Sequence, residues 1–229
     1  ALQEKSEADI IIWPEGSLPI DLNNRPGLFQ RLGSIIGDNQ KLILGSSAIE
    51  EDVLLYNRLY VLNEMGAIEQ YYDKQKLVLF GEYVPWVKPL VSRFLNLGMN
   101  YVPGKNQSLI NLPNQVKATP MICSESIFEY QSINENICQS DLVIQISNDS
   151  WFGKWYGPQQ HLANSLIRSV EFQKTLIRST PSGVSAVIQP NGIISHRIDN
   201  DQRGYFYYSY TPSDQITNCS SKLYYVISF

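Results

Sequence analysis

Leu142-Val143-Ile144-Gln145-Ile146 has the strongest core-strand pattern in this chain, with four large apolar residues in a run of five. So short a run with one polar interruption indicates a strand buried on both faces. A helical pattern follows over about 159–173 and places Leu162, Leu166 and Val170 on one face. A buried strand followed by an amphipathic helix predicts an α/β domain.

Further elements are predicted on both sides of this unit. Leu28, Leu32 and Ile36 recur at helical spacing, and Gly37 stands where a helix would end. Apolar runs bounded by turn residues predict strands, and these cover 9–12, 41–45, 53–62, 67–72, 116–122, 142–146, 184–189, 193–198 and 205–210. Because 53–72 and 184–198 are interrupted by short glycine-containing turns, each is expected to form a hairpin. The pattern predicts one layered α/β domain spanning 1–229.

Composition limits the classes of function. The 229 residues are enough for one sizeable core, and a net charge of −4 gives no electrostatic reason to expect a nucleic-acid partner. Charged residues make up only 17%, and 14 Tyr and 4 Trp are present, so a partly apolar surface is expected. No apolar window approaches the roughly 20 residues of a membrane span. The apolar tail 222–229 is interpreted either as the last core strand or as the start of a membrane helix.

The cysteines and histidines predict neither a metal site nor a cofactor. Cys123, Cys138 and Cys219 form no C-x-x-C pair, and only two histidines accompany them. An odd cysteine count predicts at least one free thiol. Cys138 and Cys219 are expected to be ordinary small residues.

Three segments carry candidate chemistry: 13–15, 74–82 and 121–125. Cys123 ends a predicted strand where a helix could begin, and helix N-terminal amides favour a thiolate. Glu15 ends another strand and suits a general base, whereas Lys74 could stabilise an oxyanion. Taken singly, these three residues are better explained as a buried cysteine, a surface glutamate and a solvated lysine. Together they supply what acyl transfer through a thioester requires.

Eight segments, taken in chain order, resemble the nitrilase (carbon–nitrogen hydrolase) superfamily. Several of these segments also resemble the apolipoprotein N-acyltransferase branch of that superfamily. The eight segments are 13–15, 72–74, 77–85, 122–125, 147–153, 157–161, 178–180 and 183–187. The resemblance covers residues 9–192 and implies a layered α-β-β-α sandwich. The first strand and the membrane helices of that family are absent from this chain, so the resemblance implies a fragment of a larger membrane enzyme.

The resemblance also implies roles for individual residues. Cys123 matches the nucleophile, Glu15 the general base and Lys74 the oxyanion stabiliser; Lys76 is the neighbouring alternative, but the spacing to Glu82 favours Lys74. Glu82 and Glu125 match supporting acidic residues. The residues expected to contact substrate are Trp151, Tyr83, Trp86 and Ser124, and a water-excluding lid is expected to carry Trp86, Trp151 or Trp155. Two positions depart from the family pattern: Ser124 replaces a usual Tyr, and Leu79 an expected Pro.

The implied activity is N-acyl transfer without a cofactor. A phospholipid would donate an acyl chain through a Cys123 thioester to the N-terminal diacylglyceryl-cysteine of a lipoprotein. This implies a bacterial inner-membrane location, with the catalytic domain on the periplasmic side. Two alternatives remain open: a soluble amidase acting on small amides, and a binding or scaffold module without catalysis.

Overall fold

Two β-sheets form the centre of the fold in the computed structural model, which describes residues 8–18, 26–51, 54–79, 81–83, 101–105, 109–128 and 135–212. The first sheet has the order β1-β2-β3-β4. Its strands are β1 (Ile10–Ile12), β2 (Lys41–Glu50), β3 (Leu54–Leu62) and β4 (Ile68–Asp73). β1 is parallel to β2, and the remaining pairs are antiparallel.

The second sheet has the order β10-β9-β8-β7-β6-β5. Its strands are β5 (Ile110–Asn111), β6 (Lys117–Ile122), β7 (Leu142–Ile146), β8 (Thr175–Ser179), β9 (Ser185–Ile188) and β10 (Ile194–Ile198). β6, β7 and β8 run parallel, so their carboxyl ends lie at one edge of the sheet. Cys123, which directly follows β6, therefore lies at that edge.

Helices α1 (Pro26–Gly33) and α2 (Gly157–Phe172) cover the outer faces of the two sheets. Alternation along the strands explains the layers, since successive side chains of a strand point to opposite faces. On β2, Leu42 and Leu44 pack in the cluster that contains Leu32 of α1, whereas Ile43 packs between the sheets. On β7, Val143 packs with α2, and its neighbours pack between the sheets. The predicted α-β-β-α sandwich is confirmed.

Two predicted boundaries and one predicted strand are corrected by the structure. β2 continues to Glu50 because its polar half, Ser46–Glu50, pairs with β3 across the hairpin. α1 ends at Gly33 and does not reach Gly37. At Gly33 the helix meets the β3–β4 turn, since a Cβ on Gly33 would lie 2.6 Å from the carbonyl carbon of Met65. The segment 205–210 is not a strand, although its side chains alternate in exposure. Ring contacts hold it instead, with Phe206 and Tyr208 5.3 and 5.5 Å from the ring of His196.

Some predictions concern residues outside the described ranges, among them Trp86, Cys219 and the tail 222–229. Within the described ranges, no helix is long and apolar enough to cross a bilayer. Cys123 is a free thiol. Cys138 is disulfide-bonded, which corrects its interpretation as an ordinary small residue.

Candidate active site

Cys123 begins a short 3-10 turn, Cys123–Ile127, immediately after β6. Its φ of +53° lies in the left-handed region that residues other than glycine rarely adopt. The side chain is buried in the cluster between the sheets. Backbone strain of this kind is concentrated at functional sites, where the surrounding structure holds it in place.

Glu15 reaches the same region from the end of β1. Gly45 makes room for it, because a Cβ at position 45 would lie 2.6 Å from the Glu15 Cα. Asn57 on β3 donates from Nδ2 to Glu15 Oε1 at 2.7 Å and to Glu82 Oε1 at 3.0 Å. Oε2 of Glu15 is buried and has no nitrogen or oxygen partner among the described residues. This oxygen remains available to accept a proton.

Burial raises the pKa of Glu15 above that of an ordinary glutamate. The charge of Lys74 and hydrogen bonds from Asn57 and the Cys123 thiol lower this pKa in part, and the charge of Glu82 raises it further. A carboxylate with a raised pKa is a better general base at neutral pH than an ordinary one.

Lys74 follows β4 and is buried, with 1% of its surface exposed. Its Nζ donates to Glu82 Oε1 at 2.9 Å and lies 2.8 Å from Oε2. The amide of Val78 donates to the same carboxylate at 2.8 Å. Burial alone would lower the pKa of Lys74, but the charges of Cys123, Glu15 and Glu82 raise it above its usual value. Lys74 is therefore an ammonium ion.

The Cys123 thiol is protonated at neutral pH. Burial and the negative charge of Glu15 raise its pKa to about 12, although the charge of Lys74 and a hydrogen bond with Ser147 oppose this shift. Since the thiolate is the nucleophilic form, a reaction at this thiol would need a base within reach. Glu15 lies within hydrogen-bond reach of the thiol. No group of three or more His, Cys, Asp or Glu in the described ranges is arranged to hold a metal ion.

Glu125 connects the loop that carries Lys74 to the end of β6. Its Oε1 accepts from the Tyr72 hydroxyl at 2.9 Å and from the amides of Gln75 and Lys76 at 2.8 and 3.2 Å. Its Oε2 accepts from the Ile122 amide at 2.7 Å. Burial raises the pKa of Glu125, and the backbone hydrogen bonds partly lower it. Glu125 thus fixes where Lys74 lies relative to Cys123.

Replacing Glu125 with alanine is expected to destabilise the domain by ~3 kcal/mol or more. The substitution leaves two buried donors, the Tyr72 hydroxyl and the Ile122 amide, and two part-buried amides without their acceptor. Each buried donor left without a partner costs about 1–3 kcal/mol. Chemical denaturation of the two proteins measures the difference. Glu64→Ala, at an exposed turn position, is the matched control and is expected to change stability little. Equal losses in the two variants would contradict the role given to Glu125.

A buried polar network lies beneath Cys123. Its members Asp149, His161 and Arg178 fall in segments that resemble the family, but no role was predicted for any of them. His161 Nε2 and Gln145 Nε2 each lie 3.0 Å from the Cys123 carbonyl oxygen. His161 Nδ1 is 2.8 Å from Asp149 Oδ1, and Arg178 donates to Asp149 Oδ2 at 2.6 Å. The available signal was a polar residue at a core position, such as Gln145 inside an apolar strand. Asn57 was missed in the same way.

The predicted substrate contacts lie in different environments. Trp151 and Trp155 are 84% and 83% exposed, so neither covers the buried thiol in this structure. Tyr83 is 37% exposed, and Trp86 lies outside the described residues. Ser124 is buried next to Cys123 in the chain, and its Oγ has no partner among the described residues.

Sequence comparison identifies the family of the chain. The family model described as carbon-nitrogen hydrolase matches residues 1–214. An apolipoprotein N-acyltransferase of Rhizobium rhizogenes is 34% identical over 206 residues, which are 86% of this chain and 38% of that protein. The apolipoprotein N-acyltransferase of Pseudomonas syringae pv. tomato is 32% identical over 220 residues, or 92% of this chain and 42% of that protein. The chain thus spans well under half the length of these relatives.

Structural comparison supports the fold alone. An amidase from Nesterenkonia sp. AN1, whose active-site cysteine carries a covalently added acetamide moiety, superimposes with a TM-score of 0.63 at 17% identity. The match covers 84% of this chain and 74% of the amidase. A glutamine-dependent NAD+ synthetase from Acinetobacter baumannii has a TM-score of 0.60 at 19% identity, covering 86% of this chain and 38% of the synthetase.

Proposed function

Since the chain belongs to the carbon–nitrogen hydrolase family, we propose that it is the catalytic domain of a larger membrane-bound N-acyltransferase. The enzyme moves an acyl chain from a phospholipid to the N-terminal diacylglyceryl-cysteine of a lipoprotein. The observation that carries the proposal is the buried cluster in which the charges of Glu15 and Lys74 both shift the pKa of the Cys123 thiol. The curated relatives named apolipoprotein N-acyltransferase support the choice of substrates.

The first half-reaction forms a thioester. Glu15 takes the proton of Cys123, and the thiolate attacks the ester carbonyl of the phospholipid. The ammonium of Lys74 and a backbone amide stabilise the oxyanion, an effect that is large in a site from which water is excluded. The tetrahedral intermediate collapses, the C–O bond breaks, and the lysophospholipid alkoxide takes the proton held by Glu15.

The second half-reaction transfers the acyl group to nitrogen. The α-amino group of the diacylglyceryl-cysteine attacks the thioester carbonyl, and Glu15 accepts a proton from the attacking nitrogen. The C–S bond then breaks, and the Cys123 sulfur regains a proton from Glu15. The products are an amide and the free enzyme, so no cofactor is consumed. Glu82 supports both half-reactions by holding Lys74 through its carboxylate.

An exposed aromatic loop is suited to lipid contact. Trp151, Trp155 and Tyr156 are each more than 80% exposed within six residues. Trp and Tyr are enriched at the boundary between water and lipid. The ring of Phe152 in the same loop lies 5.4 Å from the ring of His161, which connects the loop to the site. We assign the loop to the membrane surface, with the domain on the periplasmic side of the bacterial inner membrane.

The double variant Trp151→Ala/Trp155→Ala is expected to raise the phospholipid vesicle concentration needed for half-maximal rate by about tenfold. This corresponds to ~1.4 kcal/mol, a fraction of the transfer free energy of two aromatic side chains. The rate at saturating vesicle concentration changes less. Met65→Ala, which removes a 71% exposed apolar side chain at the β3–β4 turn, is the control. An unchanged vesicle dependence in the double variant would refute lipid contact by this loop.

One assay decides between acyl transfer and the amidase alternative. The full-length protein is incubated with acyl-labelled phosphatidylethanolamine and a diacylated lipopeptide. We expect a labelled adduct on Cys123 that hydroxylamine removes, followed by a triacylated peptide. If neither product forms and small amides release ammonia, the acceptor is water. If neither product forms and no ammonia is released, the result favours a module without catalysis.

A further inference from the structure

The buried side chain of His161 faces hydrogen-bond acceptors at both ring nitrogens. Nε2 lies 3.0 Å from the Cys123 carbonyl oxygen, and Nδ1 lies 2.8 Å from Asp149 Oδ1. A carbonyl oxygen can only accept a hydrogen bond, so Nε2 must carry a proton.

Asp149 is ionised in this setting. Burial alone would raise its pKa, but the hydrogen bond from His161 and the charge of Arg178 lower the pKa below its usual value. Ser147 donates a further hydrogen bond to Oδ1 at 2.8 Å. Arg178 Nη2 donates to Asp149 Oδ2 at 2.6 Å and lies 3.2 Å from His161 Nδ1. Asp149 and Arg178 therefore fix the orientation of the His161 ring and direct Nε2 at the Cys123 carbonyl.

The acceptor of the Nε2 proton belongs to the peptide unit that joins Cys123 to Ser124. The amide of Ser124 lies in the first turn of the 3-10 segment, where N–H groups have no partner within the helix. A hydrogen bond accepted by a carbonyl strengthens the N–H of the same peptide as a donor. The hydrogen bond from His161 thus orients and polarises the Ser124 N–H.

We propose that His161 is a positioning residue, which holds the Cys123–Ser124 peptide so that the Ser124 N–H completes the oxyanion-stabilising site with Lys74. Gln145 assists with its own 3.0 Å hydrogen bond to the same carbonyl oxygen. The role rests on the proposed function, because the oxyanion forms only when Cys123 attacks an acyl carbonyl. His161 itself does not contact the reacting atoms and transfers no proton in either half-reaction.

The tautomer of His161 is tested without any substrate. The full-length protein is labelled with ¹⁵N-histidine, and the His161 signals are assigned by their loss in His161→Gln. We expect Nε2 to bear a slowly exchanging proton. An unprotonated Nε2 could not donate to the Cys123 carbonyl and would overturn the proposal.

The positioning role is tested by comparing two reactions of Cys123 in His161→Gln. Acylation by a p-nitrophenyl ester passes through an oxyanion, whereas alkylation by iodoacetamide does not. The acylation kcat is expected to fall about 10- to 100-fold with little change in KM, a smaller loss than for a direct oxyanion donor. The alkylation rate is expected to stay within about threefold, because the charges of Glu15 and Lys74 still act on the thiol.

His196→Gln provides the matched control, because it makes the same substitution on β10, at the far edge of the second sheet. Equal losses of acylation and alkylation in His161→Gln would mean that His161 only maintains the local fold, which would overturn the positioning role. Unchanged acylation would also overturn it. Failure of the proposed function is distinguishable, because phospholipid transfer would then be absent from the unmodified protein while its acylation by the ester remained measurable.

Discussion

Cys123→Ala is expected to lower the rate of acyl transfer by ~10⁶-fold, as removal of a covalent nucleophile does in other acyl-transfer enzymes. The loss is large because no other thiol can replace Cys123: Cys138 is disulfide-bonded, and the described structure offers no second free cysteine. The labelled acyl adduct is expected to disappear completely. Rapid quenching of the full-length protein with labelled phospholipid, followed by mass spectrometry of the Cys123 peptide, measures both effects.

The Cys123→Ala variant is expected to remain folded, since alanine removes a single sulfur atom from a cluster formed mainly by aliphatic side chains. Its thermal denaturation midpoint therefore serves as the control for activity. Cys123→Ser is a second control, because a hydroxyl keeps the shape but is a far weaker nucleophile. Transfer of acyl groups by a folded Cys123→Ala protein would end the thioester mechanism under both the transferase and the amidase interpretations.

Glu15→Gln is expected to lower the rate of thioester formation by about 10²–10⁴-fold, the usual contribution of a general base. Glutamine keeps the size of the side chain and an oxygen that can accept from Asn57. It cannot take the proton of a thiol whose pKa is about 12. The loss therefore reports on proton transfer more than on packing.

The pH dependence separates this role from a structural one. A protonated Glu15 cannot act as base, so the rate in the unmodified protein falls as the pH drops through the raised pKa of Glu15. That acidic limb is expected above the pH at which an ordinary glutamate titrates, because burial raises the pKa. Glu15→Gln should lose the limb altogether. Glu64→Gln, an exposed substitution, should keep both the rate and the acidic limb of the pH profile. If Glu15→Gln also keeps the acidic limb, the limb belongs to the titration of another group.

Strand positions were largely predictable from local pattern. β7 matches its predicted bounds, because a buried strand requires consecutive apolar residues whatever its neighbours are. The polar half of β2 was not predictable, since its pairing with β3 depends on a partner several residues away. The segment 205–210 shows the reverse case: an alternating pattern is present, but ring contacts to His196 replace the strand ladder. An alternating pattern shows which side chains share one face of a segment. It does not determine whether a neighbouring strand forms backbone hydrogen bonds with that segment.

The sequence by itself determined the α/β layers and the three segments whose ends meet near Cys123, because apolar periodicity and short motifs are properties of neighbouring residues. Only the tertiary structure decided which side chains converge on the thiol. Asn57 bridges Glu15 and Glu82 from the middle of β3, and His161 reaches the Cys123 carbonyl from α2. These contacts join residues 25 to 42 positions apart. A buried polar side chain is stable only when distant partners satisfy its hydrogen bonds, and chain folding alone brings those partners together.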